Sequence, residues 1–139
     1  MTQEEKQLLL QDLSGRLSYK VKVTTTNAAV EFGVISGISI ENKISVRTKR
    51  ADIVFNCTEV KPYLFPLSSM TEEQKEEYNS ECKKDLKTLS EAVLNRTYTK
   101  TRIETPLYYG IDWLNAHHFD YRGLIERGLA IDATNKNIY

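Results

Sequence analysis

A chain of 139 residues with 40% apolar and 27% charged side chains has the size and composition of one globular domain, which excludes disorder and any need for a disulfide or metal staple. Nineteen Lys and Arg balance nineteen Asp and Glu, so no global field draws the chain toward nucleic acid or anionic lipid, and only a local patch can do so. The acidic start Met1–Lys6 lacks the basic and apolar parts of a signal peptide, and no apolar run reaches membrane-spanning length, so we expect a cytoplasmic protein.

The predicted elements begin with a short helix over 2–13. Leu8, Leu9, Asp12 and Leu13 share one face, and Ser14-Gly15 is a stop signal. The period then falls to two. Leu17, Tyr19, Val21 and Val23 alternate with polar residues, as do Val30, Phe32 and Val34 after a turn at Thr26-Asn27. Ser36-Gly37 is a break, and Glu41–Lys43 a polar turn. Ile44 and Val46 alternate next, and Thr48–Arg50 is a charged turn before a strand over 51–57. Four or five short strands with short turns predict a small antiparallel β-meander or barrel. The stretch Val60–Leu67 holds Pro62 and Pro66, which lack backbone donors, so the expectation is an irregular crossing and not a central strand.

Ser69 and Glu72 fit a capping box for a long helix to about Asn95, with Tyr78, Cys82, Leu86, Leu89 and Val93 as its apolar stripe. Arg96–Thr105 reads as a loop or edge strand. Thr105-Pro106 starts a second helix, with Leu107, Ile111 and Leu114 buried. Asp120 caps a third helix over 121–127, ended by Gly128 with Leu129 packing back. The expected fold is α+β over residues 1–139 as a single domain: an N-terminal helix, the meander or barrel, the long amphipathic helix and a C-terminal helical cap.

Two long motifs, 61–73 (KPYLFPLSSMTEE) and 113–125 (WLNAHHFDYRGLI), resemble a family of small proteins encoded in gut Bacteroidales genomes, often within prophages or mobile elements. The resemblance covers about the second half of the chain. It implies a cytoplasmic, phage-linked protein, and it brings no catalytic or binding residue to these positions.

The chemistry-bearing residues are few. Cys57 and Cys82 sit in apolar patterns and form no CxxC pair, which predicts buried free thiols. Adjacent His117 and His118 point about 100° apart on a helix, so they do not converge on one metal, and a helix-end role is expected. Phosphate-cradling glycine motifs and a nucleophile elbow are absent from the sequence. Hence no catalytic, cofactor-binding or metal-binding residue is assigned and no cofactor is expected. Arg47, Lys49 and Arg50, with Lys20 and Lys22 nearby, form a basic cluster. Tyr19 and Phe32 fit the core alternation, so stacking aromatics for nucleic acid are not expected there. Trp113, Tyr121, Arg122, Tyr108 and Tyr109 are residue types that anchor interfaces. The leading expectation is therefore a non-enzymatic, phage- or mobile-element-associated interaction module, with a protein partner or self-association and no membrane. The alternatives are a nucleic-acid-binding accessory protein and a small hydrolase using His117 or His118.

Overall fold

The computed structural model describes residues 1–26, 32–94 and 109–139, and the side chains of all of these except 85–94. The fold is α+β, and the chain divides into two compact units. One comprises Met1–Leu67 and His118–Tyr139, and the other Ser68–His117.

The first unit opens with α1 (Gln3–Gly15). Thr2 caps it in a capping box with Glu5, and Leu9, Asp12 and Leu13 face inward. Leu17–Tyr19 is a 3-10 turn where strand alternation was expected, and Lys20 follows in the left-handed region at φ 53°. The strand begins only at β1 (Lys22–Thr25). It is followed by β2 (Gly33–Ile38), β3 (Lys43–Arg47), β4 (Asp52–Asn56) and β5 (Val60–Pro66). Two-residue strands β6 (Phe119–Asp120) and β7 (Ile131–Asp132) complete a seven-stranded sheet. Its order is β4-β3-β2-β1-β5-β6, with β7 also paired to β5. The first four strands form the expected antiparallel meander, but β6 and β7 run parallel to β5. The sheet is mixed and open, so the barrel alternative is corrected.

The proline-containing stretch is also corrected. Strand β5 pairs with β1, β6 and β7, which makes it the most connected strand. The Glu59 carbonyl accepts from Thr26 N–H at 2.9 Å, and the Tyr63 carbonyl is linked through the Tyr139 hydroxyl to Lys22 of β1. Alternation along the strand turns the Pro62 nitrogen away from β1, so its missing donor removes no β1–β5 bond.

Strand β2 shows a further departure. The buried positions are Gly33 and Ile35, whereas Phe32 is 47% exposed. A one-residue shift of this kind exchanges the two faces of a strand. Gly33 explains the choice: an added Cβ would lie 2.2 Å from Val46 Cγ1, so only a glycine lets Val46 seat there. Ser36-Gly37 does not end the strand. It forms a register irregularity between Ile35 and Gly37 within the β2–β3 ladder.

The core joins Leu9 and Leu13 of α1 to Val21, Val23, Ile35, Ile44, Val46 and Leu64 of the sheet region. Cys57 is buried in it as a free thiol, as expected. Inside it lies an ion pair. Arg16 Nε and Nη2 donate to both oxygens of Asp12 at 2.7 and 3.1 Å, and neither side chain is exposed. Nη2 also donates to the Phe119 carbonyl at 2.7 Å, which ties the end of α1 to β6. Arg122 approaches Asp12 at 3.5 Å, and both guanidinium carbons lie near the Tyr121 ring, Arg16 at 5.2 Å and Arg122 at 5.1 Å from its centroid. Burial pushes the Asp12 carboxyl above its ordinary range, Asp120 adds to the rise, and Arg16 and then Arg122 oppose it.

The third helix expected over 121–127 is absent. Asp120 does accept from the Leu124 and Ile125 amides at 2.9 and 2.8 Å, and Leu129 N–H bonds back to the Leu124 carbonyl, but the segment is a run of turns. Gly123 and Gly128 both have positive φ, 72° and 69°, and a left-handed residue at 123 stops a helix within the first turn.

The second unit contains α2 (Glu72–Leu94) and α3 (Tyr109–Ala116). The cap of α2 lies two residues later than expected. Gln74 N–H donates to Thr71 Oγ1 at 3.2 Å and Thr71 N–H donates to the Gln74 side chain at 2.9 Å. Tyr78 and Cys82 of the expected stripe are half-buried, so Cys82 is less enclosed than the sequence suggested. Leu86, Leu89 and Val93 lie outside the residues whose side chains are described. The loop over 96–105, the Thr105-Pro106 start and Leu107 fall outside the described residues altogether.

The buried pair generates a stability prediction. Asp12→Ala leaves Arg16 charged, buried and unpaired, which should cost about 3–5 kcal/mol in a denaturant melt. Adding Arg16→Met should recover part of that loss. A double variant less stable than Asp12→Ala alone would show that Arg16 acts mainly through Phe119 and Tyr121.

Candidate functional site

The first unit carries a groove of about 900 Å³. Its walls come from four parts of the chain: the 3-10 turn with Lys20 and Lys22, the start of β2 with Phe32, the β3–β4 turn with Arg47 and Lys49, and Lys136–Ile138. Five cationic side chains therefore line one groove, and no Asp or Glu does so among the described residues. The sequence cluster is largely brought together, since only Arg50 lies outside the lining. Lys136 and Ile138 were missed. No periodicity marks their segment, and its only sequence signal is the pair Asn135 and Asn137, both left-handed at φ 61° and 49°.

Each wall has a local cause. Thr48 closes the β3–β4 turn by donating its hydroxyl to the Ala51 carbonyl and accepting from the Arg50 and Ala51 amides. This holds Arg47 and Lys49 at the rim. Gly33 must face Val46, and that requirement turns its neighbour Phe32 outward. The Phe32 ring rests against Tyr63 with centroids 5.7 Å apart. This corrects the placement of Phe32 in the core, and it supplies an aromatic beside the cations. Tyr19, by contrast, is half-buried and does not line the groove.

The charges are not equally committed. Arg47 pairs with Asp52 at 3.2 Å, both well exposed, which is a weak link in water. Lys22 Nζ donates to the Ile138 carbonyl. Lys20, Lys49 and Lys136 form no ion pair among the described residues.

The C-terminal wall is pinned by Tyr139. Its hydroxyl accepts from Lys22 N–H at 3.0 Å and donates to the Tyr63 carbonyl at 2.8 Å. The register Val23↔Pro62 would next place Lys22 opposite Tyr63, so the hydroxyl bridges the ladder where β1 and β5 diverge. The ring stacks on His118 at 3.8 Å and packs on Phe65 at 5.8 Å. Burial pushes this phenol up to about 12, against the pull of the Lys22 amide and Arg16.

The other sequence-singled residues separate into the two units. Tyr121 and Arg122 belong to the Asp12–Arg16 cluster of the first unit, both half-buried. Trp113 and Tyr109 lie on α3 of the second. Trp113 is half-buried, with Tyr78 at 5.8 Å and His117 stacked on it at 3.9 Å. Tyr109 is 44% exposed, with Lys84 Nζ 5.9 Å from its ring centroid. Tyr108 lies outside the described residues. His117 Nδ1 lies 2.9 Å from the Trp113 carbonyl, the helix-end contact expected of it. His118 follows in the left-handed region at φ 60° and stacks on Tyr139. The adjacent imidazoles thus take different ring partners. No group of three or more metal-ligating side chains occurs among the described residues, and no helix described is long and apolar enough to cross a membrane.

No family model, curated protein or solved structure matches this chain.

Tyr139 gives a pH prediction. Its folded-state value lies above the ordinary 10, so its contribution to stability is present below pH 10 and is lost as pH rises toward 12. In an absorbance titration one tyrosine should ionise late, together with unfolding. Tyr139→Phe should remove that late step. An unchanged late step in the variant would assign it to another phenol.

Proposed function

We propose that this protein is a non-enzymatic binding module, cytoplasmic and phage-linked, whose ligand is an anionic chain held in the groove. The observation that carries this reading is the convergence of Lys20, Lys22, Arg47, Lys49 and Lys136 on one groove without a lining carboxylate among the described residues. A concave, like-charged surface focuses its field and attracts counter-charge even on a neutral protein. The charge is also segregated along the chain. The unit bearing the groove has twelve Lys and Arg against ten Asp and Glu, whereas the other has seven against nine.

Inorganic polyphosphate is a suitable probe because it offers charge and nothing else. In titration calorimetry at low salt it should bind, and binding should weaken steeply as salt is added. The variant Lys20→Gln/Lys49→Gln/Lys136→Gln should lose most of the affinity while keeping its melting temperature. Absent binding at low salt, or full binding by the triple variant, would overturn the reading.

A second reading, a protein partner or self-association through α3, is favoured by the exposure of Tyr109 at 44% and Ile111 at 38%. Light scattering on the full chain should then detect oligomers that Tyr109→Ala/Ile111→Ser dissolves. A monomer at every concentration would leave self-association without support.

A further inference from the structure

We infer that the groove binds single-stranded nucleic acid, with an unpaired base stacked on Phe32 and its flanking phosphates on Lys20, Lys49 and Lys136. The inference rests on the anionic-chain reading above and names the ligand's class. It starts from what charge alone does not explain. Phe32 is a large apolar ring, 47% exposed, in a groove rimmed by cations. Exposed aromatics are costly to leave in water, and this one has a local reason for its outward position in Gly33. It is also supported. Tyr63 packs against it at 5.7 Å, which limits its motion and prepares it as a platform. Leu17 and Ile138 add apolar surface to the same groove.

A ligand that satisfies all of these features must alternate negative charge with flat, apolar faces. Polynucleotides do so at every residue, because each phosphate is followed by a base with a π-face. An acidic peptide offers carboxylates to the lysines but has no counterpart for the ring. A duplex hides its base faces in the stack, so Phe32 could not reach one without unpairing it. The cations are also placed for a strand and not for a single phosphate. They come from three separate stretches of the chain, around the 3-10 turn, the β3–β4 turn and the C-terminal segment, and line the same groove as the ring. Lys22 and Arg47 already have partners in the Ile138 carbonyl and Asp52, which leaves Lys20, Lys49 and Lys136 as the principal phosphate contacts. Backbone contacts of this kind carry no sequence information, and stacking tolerates any base, so the binding should be largely indifferent to sequence. DNA and RNA share this chemistry.

The test is fluorescence anisotropy with the full chain, short labelled oligo(dT) and oligo(U), a matched duplex, and unlabelled polyphosphate and polyglutamate as competitors. Single strands should bind more tightly than the duplex. With three to four phosphate contacts, affinity should fall roughly 20- to 50-fold between 50 and 200 mM salt. Phe32→Ala should weaken single-strand binding by about 5- to 150-fold at an unchanged salt slope, and Phe32→Trp should restore it. Polyphosphate binding should be the same in wild type and Phe32→Ala, which also shows that the variant is folded. Oligo(U) binding as well as oligo(dT) would leave both nucleic acids as ligands, and a marked preference would select one. Polyphosphate binding without oligonucleotide binding, equal affinity for the duplex, tighter competition by polyglutamate, or indifference to Phe32→Ala would each overturn the inference while sparing the anionic-chain reading. If neither polyphosphate nor oligonucleotide binds, both readings fail together.

Discussion

The buried pair of Arg16 and Asp12 is the constraint on which the first unit depends. A guanidinium with no exposure must have its charge met in place, because the desolvation of an unpaired ion in an apolar interior costs several kcal/mol. Asp12, one turn earlier on the same helix, meets it with two hydrogen bonds. Arg16 Nη2 also reaches the Phe119 carbonyl, 103 residues further along the chain, while Nη1 is buried without a hydrogen-bond partner among the described residues. Helix α1 therefore cannot rotate or slide without breaking an interaction with β6. Tyr121 and Arg122 close over the pair and add aromatic and electrostatic contact. A buried ion pair of this sort adds little net stability over an apolar substitute, but it penalises every arrangement that leaves one partner alone.

From that anchor the rest of the unit follows by accommodation. The chain returns at His118 to pair beside β5, and Asp120 gathers the Leu124 and Ile125 amides so that the segment turns without a helix. Its final residues then lie along the sheet. Tyr139 fills the divergence between β1 and β5 and satisfies a donor and an acceptor that would otherwise face each other across a gap. The groove is a product of this closure. One wall is the open sheet, and the other is the C-terminal segment pinned by Tyr139. The same hydroxyl that completes the ladder thus holds Lys136 and Ile138 at the groove's edge.

The groove gathers its charges without any unusual residue. Each lysine is ordinary in its own segment, and the chain as a whole is neutral. Binding capacity arises because turns from separate stretches meet at one groove whose lining holds no carboxylate among the described residues, Asp52 reaching it only as the exposed partner of Arg47. Phe32 is the exception that gives the groove more than charge. Its outward position is imposed by a steric fact at the next residue, the lack of room for a side chain at Gly33 against Val46.

Local patterns determined the elements. Period-two alternation at Ile44 and Val46 marks a strand that does bury those residues, Leu9 and Leu13 mark the inner face of α1, and Asp120 and Gly128 mark the bounds of the turn segment, because each of these follows from interactions within a few residues. The α+β class and the basic cluster at Lys20, Lys22, Arg47 and Lys49 are legible for the same reason. What the sequence could not decide was anything resting on a partner distant in the chain. Whether Phe32 or Gly33 faces inward depends on Val46 across the ladder. Whether Pro62 can sit in the most connected strand depends on which edge its nitrogen faces. Whether Lys136 joins the groove depends on Tyr139 finding Lys22 and Tyr63, more than seventy residues away in either case. Alternation states that one face is buried, but only tertiary contact states which, since a one-residue shift costs nothing locally and reverses every side chain.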